Sequence, residues 1–136
     1  MASFDIHNNL AFEIGLPIDT YTATAVSEIV DTLRYEGVEF ITPIGTMVDG
    51  SWAITVEEGD DAALADAQAV DSDFIIYNAA TDLVVDNTKS DTVLKLGYVG
   101  KKRYVRVTYT EAGAASSGGV FGMVVVKGKP WVYPTA

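Results

Sequence analysis

The chain contains no cysteine and a single histidine, His7. Without cysteine, neither disulfides nor thiolate metal sites contribute, so the fold has to rest on packing and backbone pairing. A nucleophile-base triad would have to be built on His7. It sits in His7-Asn8-Asn9, with no strand-turn-helix elbow nearby, and reads as a surface residue. Long apolar runs are missing too. The longest, Val120 to Val126, is interrupted by Gly122 and falls far short of the ~20 residues that span a bilayer. The first twenty residues lack the basic start and apolar run of a signal peptide, and there is no Asn-x-Ser/Thr acceptor. A prokaryotic or infected-cell cytoplasm is the expected place of synthesis, with no membrane partner.

Bases are nearly absent from the first two-thirds of the chain. Residues 1–88 carry 17 acids and one base, Arg34, whereas residues 89–136 carry eight bases and two acids, for a net charge of −10. Phosphate repels such a chain, which argues against nucleic acid as a ligand. The polarity suits association with another copy or another protein, opposite patches facing. Alternatively, a Greek-key path sets early strands beside late ones and the charges mix in place.

What the chain does have is β-structure. It is 136 residues long, and Val, Ile and Thr make up more than a quarter of it, enough for one strand-rich domain. From Tyr104 to Tyr109 the residues alternate: Val105, Val107 and Tyr109 on one face, Tyr104, Arg106 and Thr108 on the other. That is the period of a half-buried antiparallel strand. Gly37 to Ile44 repeats it, with Val38 and Phe40 opposed to Glu39 and Ile41; so does Trp52, Ile54, Val56 against Ala53, Thr55, Glu57. Asp49-Gly50 is a hairpin signal, and Lys101-Lys102-Arg103 reads as a second, basic turn. Val120 to Lys127, continuously apolar until its end, is expected to be a central strand. The alanine-rich stretch Ala62 to Ala69 suits one or two helical turns. The expected fold is all-β: an antiparallel sandwich, jelly-roll-like, of about eight strands. Residues 20–127 form the sandwich, 1–19 an N-terminal arm broken by Gly15 and Pro17, and 128–136 an extended C-terminal tail broken by Pro130 and Pro134. Trp52, Ile54, Val56, Val105, Val107 and Val124 are the expected core.

No catalytic, metal-binding or cofactor-binding residue is predicted, and no enzymatic activity. Glu57, Glu58, Asp60, Asp61, Asp66, Asp71 and Asp73 offer hard oxygen ligands, but their spacing fits no calcium loop. Ser116-Ser117-Gly118-Gly119 precedes a strand and so is not a phosphate-cradling loop. The residues singled out are interface candidates. Phe4, Ile6, Leu10 and Phe12 are apolar side chains on the broken arm. Lys101, Lys102 and Arg103 form a basic cluster near Tyr98 and Tyr104. Trp131 and Tyr133 are tail aromatics of the kind enriched at interface anchors. Deleting residues 2–16 is expected to spare the sandwich and weaken partner binding.

Tyr35-Glu36-Gly37-Val38-Glu39-Phe40, Asp49-Gly50-Ser51-Trp52-Ala53-Ile54-Thr55-Val56-Glu57-Glu58-Gly59-Asp60-Asp61, Gly100-Lys101-Lys102-Arg103-Tyr104-Val105-Arg106-Val107 and the proline-containing end resemble tailed-bacteriophage capsid decoration, or cement, proteins of jelly-roll type. The resemblance covers roughly residues 27–134. It implies a virion protein on the capsid exterior, made in the host cytoplasm, that bridges subunits of the major capsid protein and is itself a homo-oligomer, dimer or trimer. The alternatives are a phage neck or tail component and, from another class, a carbohydrate-binding sandwich in which Trp52, Trp131 and the tyrosines form a sugar platform.

Overall fold

The computed structural model describes residue 3 and residues 5–131. The strands, in chain order, are β1 (Ala11–Tyr21), β2 (Ala25–Val26), β3 (Val30–Asp31), β4 (Tyr35–Met47), β5 (Trp52–Gly59), β6 (Gln68–Ala69), β7 (Ile75–Ile76), β8 (Val84–Val85), β9 (Val93–Tyr98), β10 (Tyr104–Glu111) and β11 (Gly119–Pro130). They form two sheets with every pairing antiparallel. The first runs β1-β11-β4-β9-β7; the second runs β2-β10-β5-β6, with β3 also on β10 and β8 also on β5. Counting β2 with β3 and β6 with β8 as single strand positions leaves eight, apart from β7 at the edge. Their partners are then nested: first with last, second with seventh, third with sixth, fourth with fifth. That nesting is a long hairpin rolled up into two sheets, the jelly roll.

The rolled path explains why two turn readings fail. β4 and β5 flank Asp49-Gly50, and β9 and β10 flank the basic turn, yet neither pair is hydrogen-bonded. Both turns cross from one sheet to the other. Gly50 takes φ +90, as a tight turn demands. The Asp49 carboxylate reaches across to accept from the backbone N–H groups of Ser116, Ser117 and Gly118, which hold it below the usual carboxylate range.

The arm reading fails over residues 11–19. Ala11–Tyr21 is an edge strand registered on β11, with shifts between Ile14 and Leu16 and between Leu16 and Asp19. An edge strand tolerates the Gly15 and Pro17 that suggested a break, because one side of its backbone needs no ladder partner and bulges absorb the irregularity. Likewise the tail reading fails for Gly128–Pro130, which belong to β11. The alanine-rich stretch is a run of tight turns: the Asp61 carboxylate accepts from the N–H groups of Ala63 and Ala65, and the Asp66 carboxylate from those of Asp60 and Asp61.

The core lies between the sheets. Phe40, Phe121, Met123 and Val125 from the first sheet meet Trp52, Val105, Val107 and Tyr109 from the second, all essentially without exposure. Phe121 is the hub, its ring 4.8 Å from Tyr21, 5.3 Å from Trp52 and 5.3 Å from Tyr109. Val124, expected in this core, instead faces outward; Val125 takes the inward place. Two polar bridges tie the sheets. The hydroxyls of Thr42 and Tyr109 lie 2.7 Å apart, and the Tyr98 hydroxyl donates to the Glu58 carboxylate at 2.5 Å. Burial, then the neighbouring Glu58 charge, pushes the Tyr98 phenol well above its ordinary range.

Candidate functional site

The two outer faces of the sandwich differ. The second sheet presents Thr55 beside Thr108 and a Glu57–Arg106 ion pair at 2.6 Å, the polar exterior normal for an antiparallel sandwich. The first sheet presents apolar side chains. Outward registers align Phe12 with Val126 and Ile14 with Val124, and the latter with Ile41 on β4. Beyond β4, Pro43 stands beside Val93. Ile18 lies over Gly122, where a Cβ would come within 2.6 Å of it. Phe12, Ile14 and Ile18 are 60%, 56% and 59% exposed. Among the described residues, Glu39 and Lys95 are the charged members of this face. Partial burial lifts the Glu39 carboxyl above its usual range, and Lys95 opposes the shift.

This face is not flat. Along β1 it carries the exposed ridge of Phe12, Ile14 and Ile18. Towards β4 and β9 it sinks into a trough of about 280 Å³ lined by Leu10, Gly37, Glu39, Ile76, Gly97, Val126 and Gly128 among others. Gly37 is opposite Gly128, and Glu39 opposite Gly97, so the floor lacks side chains where its neighbours would carry them.

A second surface lies at one end of the sandwich. There the β3–β4 turn, the β9–β10 crossing and the end of β11 enclose a cleft of about 270 Å³ lined by Leu33, Arg34, Tyr35, Asp60, Lys101, Lys102, Arg103 and Trp131 among others. Trp131 is 62% exposed, and its backbone N–H is held by the Arg34 carbonyl at 2.9 Å. Arg34 is left-handed, at φ 73, a strained conformation for a side chain of that size. Arg103 makes a bidentate pair with Asp31 at 2.9 and 2.8 Å, and Lys102 pairs with Asp60. Among the described residues, Arg34 and Lys101 have no carboxylate partner.

Of the interface candidates read from the sequence, Lys101, Lys102, Arg103 and Trp131 therefore converge in this cleft. Leu10 and Phe12 belong instead to the apolar face of the first sheet. Ile6 is an exposed residue of the turn before β1, its carbonyl accepting from Asn9 and Leu10. Phe4 and Tyr133 lie outside the described residues. Ile14, Ile18, Val124 and Ile41, as an outward set, were not anticipated. Their signal was a strand, β11, apolar on both parities.

The charge polarity resolves as mixing in place. Each ion pair among the described residues joins a base after position 88 to an acid before it: Lys89–Asp82, Lys102–Asp60, Arg103–Asp31, Arg106–Glu57 and Lys127–Glu13. Of the acids considered as cation ligands, Glu57 is engaged by Arg106, Glu58 by Tyr98, and Asp71 by the backbone N–H of Asp73. His7 stands exposed in the turn before β1. Trp52, a supposed sugar platform, is fully buried with its indole N–H on the Ala23 carbonyl.

No protein-family model matches the chain, and no curated protein matches it. Among solved structures, the fold is similar to the crystal structure of the SPBc2 prophage-derived protein YomS, with TM-score 0.46 and 10% sequence identity over 91% of this chain and 98% of that one.

Proposed function

We propose that this protein is a virion structural component without catalytic activity: a decoration protein that binds the exterior of a tailed-phage capsid and bridges major capsid protein subunits. The observation that carries the reading is the end cleft, where Trp131 meets Arg34 and Lys101, cations with no carboxylate partner among the described residues, on a chain of net charge −10. An exposed tryptophan ringed by polar groups is the composition of a contact that a soluble protein makes after its partner is built. The cations select an acidic patch on the shell and set orientation and on-rate, while the indole supplies most of the affinity. The jelly-roll scaffold and the sequence resemblance support the same reading.

The test is co-sedimentation of the purified protein with empty tailed-phage capsids. Binding is expected, and Trp131→Ala should weaken it at least tenfold. Lys101→Glu should weaken it mainly at low salt. A protein that stays in the supernatant with shells but pellets with isolated necks or tails would transfer the reading to those structures. Binding on a glycan array abolished by Trp131→Ala would favour the carbohydrate module instead.

A further inference from the structure

The outer face of the first sheet is too apolar for a surface left permanently in water. It spans five strands at about 4.8 Å each and about 20 Å along β11, close to 500 Å² in plan before corrugation is counted. That is at the upper end of the roughly 300–600 Å² patches that monomers expose. It is of the order of the roughly 800 Å² that each partner contributes to a standard interface. We propose that a second copy of this chain covers it, in a two-fold face-to-face dimer.

Three observations select a second copy. The first is shape. A two-fold contact requires one surface to carry both a feature and its complement, and this face does: the ridge of Phe12, Ile14 and Ile18 stands on β1, and the glycine-floored trough lies across β4 and β9. A two-fold axis lying between the facing sheets and running between β11 and β4 exchanges β1 with β9. Each Phe12 is then brought over the other copy's trough. The second is charge. Each chain carries −10, yet among the described residues this face bears one acid, Glu39, and one base, Lys95, so two such faces meet without net repulsion. The third is the sheet edge. β1 carries Pro17 and two register shifts, and β7 at the other edge is two residues long. Neither edge can template continued strand pairing, which leaves the face as the route to association. An apolar face of this kind is the mark of a permanent interface, whereas the mixed polar end cleft suits later docking. The dimer is independent of the capsid reading and is measured on free protein.

Sedimentation velocity over a range of protein concentrations tests it. The unmodified protein should run as a dimer at micromolar concentration. Phe12→Ala removes the knob and should weaken dimerisation at least about thirty-fold, as an interface hot spot does. Gly37→Leu fills the trough. A Cβ there meets nothing closer than the Gly128 carbonyl oxygen at 3.7 Å, so the fold should survive and the protein should run as a monomer. Thermal melts check that both variants remain folded; should either unfold, Ile14→Lys at the neighbouring exposed position reads the same face. A monomeric or trimeric unmodified protein overturns the proposal, as does a dimer whose mass is unchanged in either folded variant.

Discussion

The hydrogen bond between Thr42 and Tyr109 is a closed test of how the two sheets are held. Both hydroxyls are buried, 2.7 Å apart, and come from different sheets. Tyr109→Phe strands the Thr42 hydroxyl, and Thr42→Val strands that of Tyr109. Each single change should cost about 1–3 kcal/mol, the desolvation penalty of a buried polar group without a partner. Replacing both partners by their apolar isosteres removes the penalty together with the bond, so the double variant should lie within about 1 kcal/mol of the unmodified protein. The coupling energy should therefore be at least about 1 kcal/mol, and at this chain length each kcal/mol moves Tm by roughly 3–4 °C. Urea unfolding followed by fluorescence is suited to the measurement, because Trp52 is fully buried. Additive single effects would refute the reasoning: they would mean that neither hydroxyl senses the other and that the sheets are joined by apolar contact alone.

Deleting residues 2–16 should destabilise the domain severely, contrary to what an arm would allow, because it removes the first half of β1 with buried Leu16; a lost leucine alone is worth about 2–5 kcal/mol against a total of about 5–15. Deleting residues 2–8 should leave the melting temperature within a few degrees. Asp31, Asp49 and Asp66 are all held below the ordinary carboxylate value, by Arg103, by the Gly118 N–H and by the Asp60 N–H respectively. Depressed folded-state values mean stability that is present above about pH 4 and lost as pH falls further. Acid titration of the unfolding midpoint should show that loss, and Asp49→Asn should flatten it.

Strands that keep one polar face announced themselves. β5 and β10 alternate so regularly that the inward residues were legible one by one, and Val38 and Phe40 on β4 likewise. β11 hid its parity because both of its faces are apolar, which put Val124 in the core when it belongs outside. That same ambiguity was the legible trace of an outer face that carries apolar side chains. β1 was misread because glycine and proline break a central strand but not an edge strand. The end cleft was only half visible. Lys101, Lys102 and Arg103 are adjacent in sequence, but their meeting with Trp131 depends on β11 returning to the β3–β4 turn, which no local pattern encodes. Asp49-Gly50 and the basic turn looked like hairpins because a tight turn has the same residues whether its strands pair or part.

The nested pairing also sets the order in which the molecule can form during synthesis. Ala11 pairs with Lys127, and Tyr21 with Gly119, so the first long strand has its partner close to the other end of the chain. While the ribosome is still adding the middle of the protein, Phe12, Ile14 and Leu16 have no sheet to join. Closing so large a loop before any contact rewards it makes for slow folding, in the range typical of all-β topologies. Until β11 emerges, the apolar ridge of β1 is exposed on an incomplete chain, where premature association between copies would trap it. Pro17 on β1, which offers no backbone N–H, thus blunts strand-to-strand pairing on the incomplete chain as well as in the finished molecule. A synonymous codon change that slows translation before residue 119 should lower soluble yield more than the same change after it.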